Sequence, residues 1–465
     1  MELKSYQQAG VDWQHEKGRS MLAWRMGTGK TAATATALQQ ALDGCLIKKA
    51  LIVAPPLVAA DTWPGELQKW PHLRHLSFAV LDGPNWRHIA KTDNSDIHLI
   101  SYNKLQSITR RVKHSTSVKT TPGLVDVFGR HWPYQWVVLD ESARVKSAGS
   151  GRFKALRKAV KLYSHITELS GIPAPRTIED LWSQIYLLDR GKRLYEYITH
   201  FRSRWFKKSF EHGYEPLEGA SDSIIERVSD LMFSLDSSDV TELPPLVNNF
   251  IRVRLPSEAQ EVYKGLEAKV LSEILGAELE PLSAANAVNK CQQLANGAVY
   301  VKPDGDAPRE TKELHDRKLD ALESVLVESA GEPQLVAYKF QSDLERIKKR
   351  FPFAVDVSES KDMIKRWNNG EIPLMTINPA GKAEGINLQY GGRSITFFSL
   401  TWNFSDYAQV IERLGPTRQA QSGLNRTVYV NHIVAENTVD EDILETIEAR
   451  ESLADLIRRR TKKAF

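Results

Sequence analysis

The stretch "MLAWRMGTGKTAATATALQQAL", Met21–Leu42, decides how the first half of this chain is read. The apolar run "SMLAW" leads into a glycine-rich turn, and an alanine-rich segment of high helix propensity follows. Strand, loop and helix in that order can cradle a phosphate. Gly27 and Gly29 let backbone N–H groups turn toward an anion, and the following helix adds its positive end. Thr28 lies between them in the G-x-G-K-T core. Lys30 supplies a point charge for β- and γ-phosphates, and Thr31 a hydroxyl for Mg²⁺. The strict G-x-x-x-x-G-K-T pattern fails because position 24 is Trp. A plain glycine turn before a helix is the competing reading, and the flanking strand and helix argue against it.

Further along, "KKALIVAPP", "DIHLISYN" and "YQWVVLDES" are short β-branched apolar runs that end in proline or polar residues. Each reads as a buried strand followed by a helical segment. Alternation of this kind implies a parallel sheet with ligands at the carboxyl ends of its strands. Asp140 and Glu141 end the third run. Acids often end strands, but after a phosphate loop such a pair has defined work. Asp140 would hold Mg²⁺, and Glu141 would orient and deprotonate the attacking water.

From about Gly191 to Glu242 the sequence is polar and aromatic and reads as helical, and the Pro pair of "TELPPLVNN" marks a linker. A second set of strands then follows in "NFIRVRL", "PQLVAYKF", "IPLMTINPA", "RSITFFSL" and "RTVYVNHIV". The closing segment "TVDEDILETIEARESLADLIRRR" is helical, with Thr438 as its N-cap. The expected layout is an α/β chain of two lobes, 1–190 and 246–465. A helical protrusion and linker over 191–245 separates them, and a helical insertion spans about 257–312.

The chain has 465 residues, 42% of them apolar and 26% charged, an ordinary globular composition. Two cysteines exclude a disulfide framework and a cysteine-rich zinc module. The N-terminal residues show no secretory apolar region, and no run is long enough to span a bilayer. A cytoplasmic monomer is expected. Net charge is only +4, yet Ser142–Tyr163 holds seven Lys/Arg and no acid. "FRSRWFKK" at 201–208 and the terminal "LIRRRTKKAF" are also basic. Such clusters suit a phosphate backbone, or simply solvated faces.

Taken in order, these segments resemble the Swi/Snf-type remodeller and translocase family of helicase superfamily two. "LKSYQQAGVDW" resembles its opening motif, "MGTGKT" its phosphate loop and "LIVAPPLVAADTWPGELQKW" its next segment. "DESARVKS", "ELSGIPAPRTIEDLW", "NPAGKAEGINLQ" and "TWNFSDYAQVIERLGPTRQ" resemble the later ones. The resemblance is strongest to compact bacterial and phage members, which implies a bacterial or phage-infected cell. It implies two RecA-like lobes, parallel sheets flanked by helices, with an ATP cleft between them. It also implies Mg²⁺-dependent ATP hydrolysis coupled to translocation on DNA, with duplex preferred and contacts largely independent of sequence. Gln7 would read the adenine, Gly385 would join the nucleotide site, and Arg413 and Arg418 would reach the γ-phosphate. Pro55, Ser101, Lys146, Lys339, Asn387 and Trp402 would contact DNA. The competing readings are a strand-separating helicase and a non-hydrolysing ATP-dependent DNA clamp that recruits other proteins.

The sequence also departs from the family. Ser142-Ala143 replaces Ala-His after the acidic pair, Lys382-Ala383 alters the loop before Gly385, and Phe404 replaces the proline of W-N-P. The second of two arginines expected three apart falls on Pro416. That proline has no N–H and disfavours helix at Gly415, so the helix should end near Leu414. Arg418 would then approach from the loop beyond.

Overall fold

A computed structural model of the chain describes residues 2–111, 118–209, 213–236, 243–274, 284–301, 310–360, 362–382 and 386–463. The chain divides into two compact units, Met1–Val240 with Ser452–Phe465, and Thr241–Glu451. Each is a parallel sheet flanked by helices.

Unit 1 opens with helix α1 (Ser5–Lys17), which ends at Gly18 in the left-handed region. Its strands are β1 (Arg19–Trp24), β2 (Ala50–Ala54), β3 (Phe78–Val80), β4 (Ile97–Ser101), β5 (Trp136–Asp140), β6 (His165–Leu169) and β7 (Met232–Leu235). They lie in the order β7-β1-β6-β5-β2-β4-β3, and every pairing is parallel. Both faces are covered, which is why the central strands read as unbroken apolar runs. One face packs on Val11, Leu38 and Trp63, the other on Phe153, Leu181, Ile185 and Phe201.

Trp24, which occupies the first position of the strict phosphate-loop pattern, is fully buried. It meets Tyr6 and Phe233 edge-on, with ring centroids 5.9 and 5.4 Å away. Gly10 in α1 makes room for it. A Cβ at Gly10 would lie 2.3 Å from the indole Cη2. The Gly10→Ala protein is therefore expected to lose about 1–3 kcal/mol in urea unfolding, although alanine is the better helix former. A gain in stability would show that the indole shifts without cost.

The segment 191–245 is not simply helical. Besides helices Ile198–Trp205 and Ala220–Val228 it contains an antiparallel hairpin, Phe206–Ser209 with Gly213–Pro216, and it supplies β7. β7 has only four residues, "MFSL", too few to display a period. The second lobe also does not keep the chain to its end, because residues 452–465 return to unit 1. There Arg458 pairs with Asp236 at 3.6 Å, and Asp236 pairs with Arg25, beside the phosphate loop, at 3.7 Å.

Unit 2 contains β8 (Leu246–Val253), β9 (Gln334–Ala337), β10 (Val355–Asp356), β11 (Leu374–Ile377), β12 (Ser394–Phe397) and β13 (Val428–Ala435). They form a parallel sheet in the order β8-β13-β12-β9-β11-β10. The insertion over 257–312 is helical at Ser257–Ile274 and Ala284–Asn296, but it closes on an antiparallel hairpin, Ala298–Val301 with Glu310–Glu313. Helix Val439–Thr461 starts where expected, with the Asp440 N–H donating to the Thr438 hydroxyl. Its Asp440 makes a fully buried ion pair with Lys318 at 2.6 Å.

Candidate active site

Helix α2 (Lys30–Asp43) follows the phosphate loop directly. Its alanines are buried, and small side chains let it lie close on the sheet. Gly27 and Gly29 have φ of +78° and +83°, which glycine alone adopts freely. Space matters too, because a Cβ at Gly29 would lie 2.2 Å from the Gln7 amide nitrogen. Gln7 is buried. It accepts from the Lys4 N–H at 2.9 Å and donates to the Thr28 carbonyl at 3.4 Å. The Thr28 hydroxyl donates to the Arg25 carbonyl at 2.7 Å. The Lys30 ammonium donates to the carbonyls of Trp24 and Arg25, at 2.7 and 3.2 Å. The loop thus holds its lysine against its own backbone. Thr31 opens the first turn of α2.

β1 and β5 flank β6, so their ends stand roughly 10 Å apart at the usual ladder spacing. Asp140 ends β5 and is buried. Its Oδ2 accepts from the indole N–H of Trp63 at 2.8 Å, and its carbonyl accepts from the Tyr102 hydroxyl at 2.8 Å. The sequence reading gave Trp63 only as part of a motif and did not name Tyr102. Together they fix the carboxylate and the strand end. Glu141 has φ +56° and ψ +56°, a left-handed conformation that costs a non-glycine residue energy and is characteristic of functional turns. A Mg²⁺ ion would find hard oxygen donors here in Thr31 and Asp140. Among the described residues no group of three or more His, Cys, Asp or Glu is arranged to hold a metal ion. None is needed when substrate phosphates and water complete the shell.

The turn Ser170–Pro173 leaves β6 beside the phosphate loop. The Ser170 N–H donates to the Leu22 carbonyl at 3.1 Å, and Gly171 lies against Met26. Helix α3 (Leu181–Asp189) backs this turn. Its Gln184 donates to the carbonyls of Pro173 and Asp180, at 2.7 and 2.8 Å, and accepts from the Ser142 hydroxyl at 2.8 Å.

In unit 2, helix α4 (Phe404–Leu414) is capped by Asn403, whose side chain accepts from the Ser405 N–H. Phe404, in place of the family's proline, is buried at the first helical position. Arg413 is buried and donates to the Ile386 carbonyl at 3.1 Å. The helix ends at Leu414 as the proline implied, but Arg418 is not on a loop. It lies on a second short helix, α5 (Pro416–Gln421). Proline breaks one helix and starts the next, since its ring presets φ and the first helical N–H has no partner in any case. Gly385 lies outside the described residues, and so does Ala383.

A model of the SNF2-related domain matches residues 6–297. A protein of Acyrthosiphon pisum secondary endosymbiont phage 1, named only as p41, is 39% identical over 445 residues, 93% of this chain and 92% of its own length. The chain belongs to the SNF2-related family. A Mycoplasma pneumoniae protein named as an uncharacterized ATP-dependent helicase is 22% identical over 97% of this SNF2-related chain, which spans only 42% of that protein. A solved structure titled as the Sulfolobus solfataricus SWI2/SNF2 ATPase core in complex with dsDNA is 20% identical. It has a TM-score of 0.45 and covers 99% of this chain and 94% of its own.

The residues expected at DNA occupy varied settings in this SNF2-related chain. Pro55 is buried at the end of β2, while Ser101 at the end of β4 and Lys146 are half-buried. Asn387 is exposed, and its carbonyl accepts from the Asn368 amide. Trp402 is half-buried, and its carbonyl accepts from Arg450. Lys339 turns inward. Its ammonium donates to Asn289 and Gln292 at 3.1 and 2.6 Å, and burial lowers its pKa. Amide oxygens from helix Ala284–Asn296 hold a charge that the sequence reading assigned to a phosphate.

Proposed function

We propose that this chain is a DNA-dependent ATPase that couples hydrolysis to movement along DNA, with duplex preferred. One observation carries the reading. A phosphate loop with two left-handed glycines and an anchored lysine stands two strands from a buried aspartate followed by a strained glutamate. Membership of the SNF2-related family supports it. Gln7 binds the adenine, Gly27–Thr31 bind the phosphates, Thr31 and Asp140 hold Mg²⁺, and Glu141 takes the proton of the attacking water. Arg413 and Arg418 supply positive charge to the γ-phosphate. Pro55, Ser101, Lys146, Asn387 and Trp402 contact the DNA backbone, which gives grip without sequence readout. Lys339 would join them only by leaving its two amide partners.

The deciding measurement is phosphate release from ATP with duplex DNA, single-stranded DNA and RNA in parallel. Duplex is expected to give the largest stimulation, falling as salt rises. Stimulation by single strands alone would favour the strand-separating reading. Binding of ATP and DNA with no phosphate release would favour a clamp.

A further inference from the structure

The turn that follows α3 has a constrained backbone. Arg190, Gly191 and Tyr195 all lie in the left-handed region, with φ of +64°, +82° and +67°. Only glycine adopts that region freely, so a tyrosine there is held by its surroundings. The Gly191 and Arg193 N–H groups donate to the Asp189 carboxylate, each at 2.8 Å. The Trp182 indole N–H donates to the carbonyls of Leu194 and Tyr195, at 3.0 and 3.1 Å. A Cβ at Gly191 would lie 2.6 Å from the Glu196 Cα, so the turn closes tightly on itself. Leu194 enters the core, whereas Tyr195 and Tyr197 are 40% and 54% exposed.

The two exposed rings belong to one ledge. Tyr195 packs against Trp205 with centroids 5.6 Å apart. His200 meets Tyr195 and Tyr197 edge-on, at 6.4 and 5.7 Å. Tyr197, His200 and Arg204 stand at i, i+3 and i+7, along one side of helix Ile198–Trp205. Phe201 and Trp205 of the same helix are buried in the core. Residues 190–209 carry seven Lys/Arg and one acid, Glu196. Arg193 is committed to Asp189 and Asp230, and Arg202 to Glu179. Lys192, Arg204, Lys207 and Lys208 are exposed, and of these Lys207 pairs with Glu215 at 3.2 Å. Aromatic rings fixed beside exposed cations suit a single-stranded nucleic acid, whose bases stack and whose phosphates meet the charges. Paired bases inside a duplex offer no face for such stacking.

We propose that the ledge of Tyr195, Tyr197 and His200, with Arg204 and the neighbouring lysines, is a binding site for unpaired nucleotides. The tyrosines supply stacking faces and the cations hold the backbone. The strained turn keeps the rings in place, so they need not be ordered when a base arrives. None of these residues belongs to the ATPase centre described above, and the site does not depend on hydrolysis. The test measures the fluorescence anisotropy of three labelled ligands with the full chain. These are a thymidine oligomer of about ten nucleotides, a uridine oligomer of equal length and a blunt DNA duplex. The variants are Tyr195→Ala, Tyr197→Ala, their double, Tyr195→Phe and Tyr197→Phe, each checked by a thermal melt.

Each alanine variant is expected to bind the thymidine oligomer roughly tenfold more weakly, the loss of one stacked base. The double variant should be weaker than either single. Affinity for the blunt duplex, and any ATP hydrolysis that duplex stimulates, should not change. Phenylalanine at either position should keep most of the binding, because stacking needs the ring and not the hydroxyl. Matching losses on the uridine oligomer would assign the site to unpaired strands of either sugar, and a loss on thymidine alone would assign it to DNA. Unchanged oligomer binding in the double variant, a wild type that binds neither oligomer, phenylalanine variants as weak as alanine, or an equal loss on duplex would overturn the proposal. If Tyr195→Ala does not fold, Tyr197→Ala decides alone, since the Tyr197 backbone is extended and tolerates any side chain. A wild type without hydrolysis would overturn the ATPase reading and leave this site standing.

Discussion

Replacing Lys30 with alanine is expected to lower duplex-stimulated ATP hydrolysis by about 10²- to 10³-fold, the loss typical of removing one preorganised donor from developing charge. The lysine is already anchored, with its ammonium on the carbonyls of Trp24 and Arg25. It therefore reaches a phosphate by exchanging partners within one loop, without first being ordered. The backbone N–H groups of Gly27–Thr31 and the start of α2 survive the substitution, so some affinity for nucleotide should remain. Phosphate release from a protein with an unchanged melting curve gives the answer. An undiminished rate would remove the basis of the whole functional assignment.

The second large effect concerns the two arginines. Arg413→Ala and Arg418→Ala are each expected to cost about 10³-fold in kcat, the lower end of the range for an arginine finger. Their settings differ, and the controls should differ too. Arg413 is buried and bonded to the Ile386 carbonyl. Its truncation also leaves a gap in unit 2, so a melt must accompany the assay. Arg413→Lys keeps the charge but not the planar fork, and it should restore little. Arg418 is half-buried on α5, so its replacement should leave stability intact. Normal turnover in Arg418→Ala beside a dead Arg413→Ala would leave Arg413 as the only finger.

Much of unit 1 was legible because its signals are local. The run "WVVLD" reads as a buried strand with or without neighbours, and β5 is that strand. Glycines before a lysine and an alanine-rich helix point to one arrangement, and φ of +78° and +83° at Gly27 and Gly29 supply it. What escaped depends on partners distant in sequence. β7 is a strand only because β1 offers it an edge. The burial of Trp24 depends on the missing side chain at Gly10. The partners of Lys339, the amides of Asn289 and Gln292, lie some fifty residues away and leave no local signal. Pro416 was read as a stop for α4, which it is, but the same ring also begins α5. Trp63 and Tyr102 became site residues only once the sheet set them against Asp140.

Unit 1 is assembled from both ends of the polypeptide, with 241–451 interposed. Its folding therefore cannot be completed when residue 240 has been synthesised. A fragment stopped there keeps Lys30, Asp140 and Glu141 but lacks Arg458, the partner of Asp236, which in turn pairs with Arg25 next to the phosphate loop. Unit 1 must wait for the whole of unit 2 to be translated before its last segment is available. A single nick near residue 240 would also leave both halves of unit 1 present, one on each fragment. Dissecting this protein into separate lobes thus requires a circular permutation that joins 452–465 to the first segment, not a simple truncation.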